Sequence, residues 1–123
     1  MRDWLRRLRR HPRETDAVIH VDPHRDPVGH RHAVSGRIDA RYVPFGVQVL
    51  VTAHDGRRYL QAPAVVRGER WHASVCCGYP DSTGEYTVVA VTGAKLVKSR
   101  YEPDEPLPAG AICSPPIRVT RRN

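Results

Sequence analysis

Residues 70–92, RWHASVCCGYPDSTGEYTVVAVT, decide the fold class of this chain. In the first half Trp71, Ala73, Val75 and Cys77 fall on one side of an extended backbone, with Arg70, His72 and Ser74 on the other. That two-residue period marks a half-buried strand, because successive side chains of a strand point to opposite faces. In the second half Tyr86, Val88 and Ala90 share a face while Val89 and Val91 load the opposite one, the pattern of a central strand covered on both sides. Gly78, Pro80, Asp81, Ser82 and Gly84 supply turn chemistry between them. The stretch predicts two strands joined as a hairpin by a polar turn.

The same periodicity continues on both sides. Upstream, Val34, Ile38 and Ala40 alternate with Ser35, Arg37 and Asp39, and Gly36 on the apolar side marks a bulge or a close backbone approach. Tyr42–Gly46, with Pro44, is a connection. Val47, Val49, Val51 and Ala53 then share one face, Asp55-Gly56 is a hairpin turn signal, and Arg57–Ala62 is the return strand. Residues 64–66 pair briefly. Downstream, residues 93–98 predict a short edge strand around Leu96 and Val97, and residues 99–116 a Pro-rich surface crossing. Residues 117–121 close the domain as a last strand. Seven or so short strands separated by frequent turns predict an all-β fold, an Ig-like antiparallel β-sandwich.

The chain has 123 residues with eleven Pro and nine Gly, which disfavours helices. It divides into a basic, His-rich N-terminal arm and linker (1–32) and the sandwich domain (33–123). The net charge is +7, and all but Lys95 and Lys98 of the twenty basic residues are Arg. Such a balance suits anionic partners. Three Cys, two of them adjacent, make no secreted disulfide framework, and no apolar run has secretory or membrane-spanning length, so a cytoplasmic location is expected.

Residues 1–13 hold six Arg around Trp4, Leu5 and Leu8, a short basic helix or arm stopped by Pro12. Arg6, Arg7, Arg9 and Arg10 are its candidates for an anionic partner. In the linker, His20, His24, His30 and His32 are metal-ligand types, but Asp-Pro steps and no rigid scaffold surround them, so no metal or other cofactor is expected. Cys76 and Cys77 point to opposite faces and cannot chelate together. Ser74, His72 and Asp81 lack a nucleophile elbow, so no enzyme is expected. Trp71 is expected to anchor the core. Tyr59, Tyr79 and Asp81 are the candidates for a ligand or partner surface.

A family resemblance follows from the order of features. Val34-Ser35-Gly36, Pro44 before the valine strand, Tyr59-Leu60-Gln61, Trp71, Gly78, GEYTVVAVT over 84–92 and Leu107-Pro108-Ala109-Gly110 occur in sequence. Together they resemble a poorly characterised class of small bacterial Ig-like sandwich modules, often fused to other domains. The resemblance covers roughly residues 33–121 and implies the fold, with no catalytic residues to carry over. The expected function is a non-catalytic interaction module that binds a protein partner. The alternative is a nucleic-acid-associated protein using the Arg-rich arm, and a membrane-surface role ranks below both.

Overall fold

The computed structural model describes residues 17–23, 31–77 and 84–121. In chain order the strands are β1 (Ile19–Val21), β2 (Arg31–Ile38), β3 (Gln48–Thr52), β4 (Arg58–Leu60), β5 (Val65–Arg67), β6 (Arg70–Cys76), β7 (Gly84–Thr92), β8 (Arg100–Tyr101), β9 (Ile112–Cys113) and β10 (Ile117–Arg121). They form two antiparallel sheets. The first runs β1-β2-β6-β5 and the second β10-β7-β3-β4-β8, with β9 pairing β7 beyond the end of β10. The all-β sandwich expected from the periodicity is what the chain forms. Among the described residues the count reaches ten through short pairs such as β8 and β9, too brief to leave a period in the sequence, while β1 falls in the brief strand expected at residues 17–21.

Both halves of the 70–92 stretch are strands, but they are not a hairpin. β6 pairs with β2 and β5 in the first sheet, while β7 pairs with β3, β9 and β10 in the second. Periodicity says which side of a strand is apolar and nothing about its neighbour. Here Trp71, Ala73 and Val75 of β6 and Tyr86, Val88 and Ala90 of β7 all enter one core, held between the two sheets. β3 and β4 do form a hairpin, as do β5 and β6 across the Gly68-Glu69 turn. Leu50 lies opposite Leu60 and Thr52 opposite Arg58, and the Gly56 N–H donates to the Ala53 carbonyl at 2.9 Å. Gly56 adopts φ 87°, a left-handed conformation that glycine reaches without steric cost.

Gly36 makes the close approach that its place on the apolar face of β2 implied. It lies between Val21 of β1 and Trp71 of β6, and a β-carbon built on it would meet the His20 carbonyl oxygen at 1.9 Å and the Trp71 ring at 2.7 Å. Trp71 is the largest fully buried side chain, and its Nε1–H donates to that same His20 carbonyl at 3.2 Å. The expected anchor is therefore also the clamp that holds β1. As a result the sheet reaches back across the boundary expected at residue 33: Ile19 is wholly buried in the core, and β2 itself begins at Arg31.

Two local expectations are corrected. Ala40 is exposed, because Asp39 caps a 3-10 helix over Ala40–Phe45 that ends the alternation of β2. Residues 93–98 form no strand. Leu96 is held instead by the Gln48 side chain, which donates to the Leu96 carbonyl at 3.2 Å and accepts from its N–H at 2.7 Å. The ladder resumes only at β8. The segment that follows packs Leu96 and Tyr101 with Leu107 and Ala111 onto Leu50, Val89 and Val91, the outer side of the second sheet. This cover explains why β3 and β7 are apolar on both faces. The short basic helix expected in residues 1–13 lies outside the described residues.

Candidate functional site

Of the three candidates for a ligand or partner surface, Tyr59 is the one that lies among the described residues, and the fold places it at a surface. It sits on β4, opposite Arg100 of β8, and is 37% exposed. With Leu60, Lys98, Ser99, Arg100 and Glu102 it lines a shallow, open groove of about 610 Å³. β8 is only two residues long, so the groove lies at the edge of the second sheet, where Leu60 N–H still donates to the Ser99 carbonyl at 2.9 Å.

The floor of this edge is a cation–aromatic stack. The Arg58 guanidinium carbon lies 5.9 Å and the Lys98 ammonium 5.4 Å from the Tyr101 ring centroid, distances at which the ring quadrupole attracts a cation. The Tyr101 hydroxyl accepts from the Val97 and Lys98 N–H groups, both at 3.3 Å. Arg58 also donates to the carbonyls of Glu102, at 2.6 Å, and Glu105, although its Nε is buried without an acceptor. Around the rim, Glu102 pairs with Arg57 at 3.3 Å and with Arg100 at 3.0 Å, and Glu105 pairs with Lys98. The Lys98 hydrogen bond, followed by that from the Glu102 N–H, holds the Glu105 carboxyl below the usual carboxylate range. An aromatic ring beside fixed charges of both signs can bind a polar polypeptide surface. Lys98, Arg100 and Glu102 escaped the sequence reading because they lie in a Pro-rich crossing whose path over the sheet has no periodic signal.

The remaining candidates separate. Arg6, Arg7, Arg9, Arg10, Tyr79 and Asp81 lie outside the described residues, as do His24 and His30. His20 and His32 are not brought together. His20 is paired with Arg37, five residues along β2 from His32, roughly 16 Å away, and the alternation puts their side chains on opposite faces. Among the described residues no group of three or more His, Cys, Asp or Glu side chains is arranged to hold a metal ion.

The cysteines divide as their alternation implies. Cys77 is fully buried in the core, and Cys76, on the opposite side, donates its N–H to Gln61 Oε1 at 2.8 Å. Cys113 is exposed on β9, and all three thiols are free. Burial pushes the Cys77 thiol up, partly offset by the Arg121 guanidinium, which donates to the Cys77 carbonyl at 2.6 Å. A raised thiol is a poor nucleophile and a poor ligand, so Cys77 has the chemistry of a core residue. His72 and Ser74 both point outward from β6.

Among the described residues no helix is long and apolar enough to cross a membrane. Comparison with known proteins finds no match for this chain, whether among family models, curated proteins or solved structures.

Proposed function

We propose that this chain is a non-catalytic, Ig-like β-sandwich interaction module that binds a protein partner at the β4–β8 edge of its second sheet. The Ig-like assignment is supported by strand order. The series β1-β2-β6-β5 facing β10-β7-β3-β4 corresponds to A-B-E-D facing G-F-C-C′ in an immunoglobulin-type sandwich. The observation that carries the binding site is the position of Tyr59. It is a part-exposed aromatic, rigidly held by a strand, in an open groove with Lys98, Arg100 and Glu102 on the rim. Tyr and Arg are the residue types most enriched where binding energy concentrates. Cytoplasmic residence, supported by the three free thiols, belongs to the same proposal, as does kinship with small bacterial Ig-like modules.

The test is a photo-crosslinking amino acid placed at position 59 in the full chain, with a second at the exposed position 41 as reference. A partner captured from position 59, not from 41, and lost on competition with unlabelled protein but not with its Tyr59→Ala variant, is the expected result. Equal capture from both positions, or turnover in an activity screen, overturns it. The alternative reading, nucleic-acid association through Arg6, Arg7, Arg9 and Arg10, draws on the +7 charge and predicts binding that disappears when those four become Ala.

A further inference from the structure

The two sheets treat their outer faces differently. That of the second is buried beneath residues 93–111, and two of the three carboxylates of that cover, Glu102 and Glu105, pair with Arg57, Lys98 and Arg100. The outer face of the first carries no such cover among the described residues. Its outward side chains are set by alternation. Ile19, Val34, Gly36, Ile38, Trp71, Ala73 and Val75 point into the core, so His20, Arg31, Arg37, Arg70, His72 and Arg67 point away from it.

The registers then align four of these side chains in one row. His20 of β1 is opposite Arg37 of β2, Arg37 opposite Arg70 of β6, and Arg70 opposite Arg67 of β5. With neighbouring strands about 4.8 Å apart, the row spans roughly 14 Å, and Arg31 stands a further 20 Å or so along β2. Arg70 is paired with Asp22 at 2.7 Å, and Glu69 sits in the adjoining turn. Among the described residues Arg31, Arg37 and Arg67 make no ion pair. Like charges directly opposite one another across a sheet are destabilising. A row of them with so little internal compensation sets local stability against something else, and such conflicts mark functional surfaces.

We propose that this face of the first sheet is a docking surface for double-helical nucleic acid, contacted through its phosphates without base readout. Guanidinium groups match phosphate bidentately, which favours a phosphate polyanion. No Phe, Tyr or Trp side chain points outward from these four strands, and the small imidazoles of His20 and His72 are spaced among arginines, so the face favours phosphate contact with a stacked duplex over a platform for unstacked bases. Its one large exposed apolar side chain is Val65, too little to insert into a lipid surface. This goes beyond the protein-partner reading and does not depend on the Arg-rich arm, so either can fail alone.

The experiment measures binding of the full chain to a 20-base-pair DNA duplex, by fluorescence anisotropy, between 25 and 200 mM salt. Three proteins are compared: the wild type, the face variant Arg31→Gln/Arg37→Gln/Arg67→Gln, and a charge-matched variant off this face, Arg57→Gln/Lys95→Gln/Arg118→Gln. The face variant is expected to bind at least about tenfold more weakly, with its log–log salt slope reduced by roughly 2 to 3, while the off-face variant keeps the wild-type slope. Relief of like-charge contact should leave its melting temperature at or above that of the wild type. If the triple variant does not fold, the three single variants carry the test, each lowering the slope by about 0.9. Equal loss in both triple variants, an unchanged face variant, or no duplex binding at 25 mM salt overturns the proposal. So does stronger binding to single-stranded DNA, to polyglutamate or to phosphatidylserine vesicles.

Discussion

Replacing Gly36 by alanine adds one methyl group at the point where three strands converge. Its carbon would lie 1.9 Å from the His20 carbonyl oxygen and 2.7 Å from Cε2 and Cζ2 of Trp71, well inside contact distance for both. One neighbour is backbone and the other is the largest buried ring, so neither can swing aside. Either β1 retreats from β2 or the indole turns, and in both cases the Trp71 Nε1–H bond to the His20 carbonyl is lost. Overpacking a core by this much costs about 1–3 kcal/mol, and an indole N–H left buried without an acceptor costs about 1–3 kcal/mol more. The expected loss is therefore about 2–6 kcal/mol, a large share of the 5–15 kcal/mol that typically separates folded from unfolded chains, and roughly 8–24 °C in melting temperature at about 4 °C per kcal/mol. Urea denaturation followed by circular dichroism gives the free energy directly. Gly68→Ala is the control, since Gly68 has φ 59° but no atom within 4 Å of the added carbon, and the left-handed strain alone costs about 1–2 kcal/mol. If Gly36→Ala is no more harmful than Gly68→Ala, the argument for a Trp71–Gly36–β1 clamp is wrong.

Three further outcomes follow from the same structure. Tyr101→Phe removes the hydroxyl that accepts from Val97 and Lys98 and should cost about 1 kcal/mol, with faster amide exchange at those two residues than at Val89. Folding holds the Cys77 thiol above its ordinary value of 9.0, so the native state keeps a proton that the unfolded chain releases. That stabilisation is complete at neutral pH and declines as pH rises from about 9 through the folded value, and the decline should be shallower in Cys77→Ala under pH-jump urea titration. Asp39 is held at about 2, first by the side-chain hydrogen bond from Arg41 and then by the Arg41 N–H. Its contribution to the 3-10 helix is present above pH 3.8 and lost as pH falls toward 2, and carboxyl-carbon NMR titration of Asp39 should shift upward in Arg41→Gln.

How much of this was legible beforehand depends on the range of the interaction concerned. Alternation is local, so the inward sets of β6 and β7, the double loading of Val89 and Val91, and the crowding at Gly36 can all be read from neighbours two residues apart. Partner choice is not local. The turn residues between β6 and β7 are equally compatible with a hairpin and with a crossing between sheets, and only β2, β3 and β5, pairing from elsewhere in the chain, decide the matter. The Leu96 anchor fails for the same reason. Its partner Gln48 is 48 residues away, and an isolated Leu-Val pair imitates a short strand. Tyr59 lies on the return strand expected there, but the charges that surround it arrive on an aperiodic crossing. Arg37 could be placed on the polar side of β2. That it lines up with Arg67, Arg70 and His20 requires three registers, one of them to the short strand β5, none of which periodicity specifies.

The unequal outer faces also have a cause in the sequence. β3 and β7 carry Leu50, Val89 and Val91 opposite the residues that fill the core, and this outward apolar set must be removed from water by something other than the first sheet. The crossing after β7 does so with Leu96, Tyr101 and Leu107, and to stay on the sheet it is tied by Gln48 on one side and by the Tyr101 hydroxyl on the other. Once that cover is in place, Glu102 lies next to Arg57, just before β4, and Arg100 of β8, and pairs with both. β2 and β6 alternate, with mostly polar outward residues that need no cover, so among the described residues their arginines lie without carboxylates apart from the Asp22 contact to Arg70. The pattern that decides which face is buried thus also decides where uncompensated positive charge is left. It follows that the two candidate surfaces, the Tyr59 edge and the arginine row, belong to different sheets and are separable by mutation.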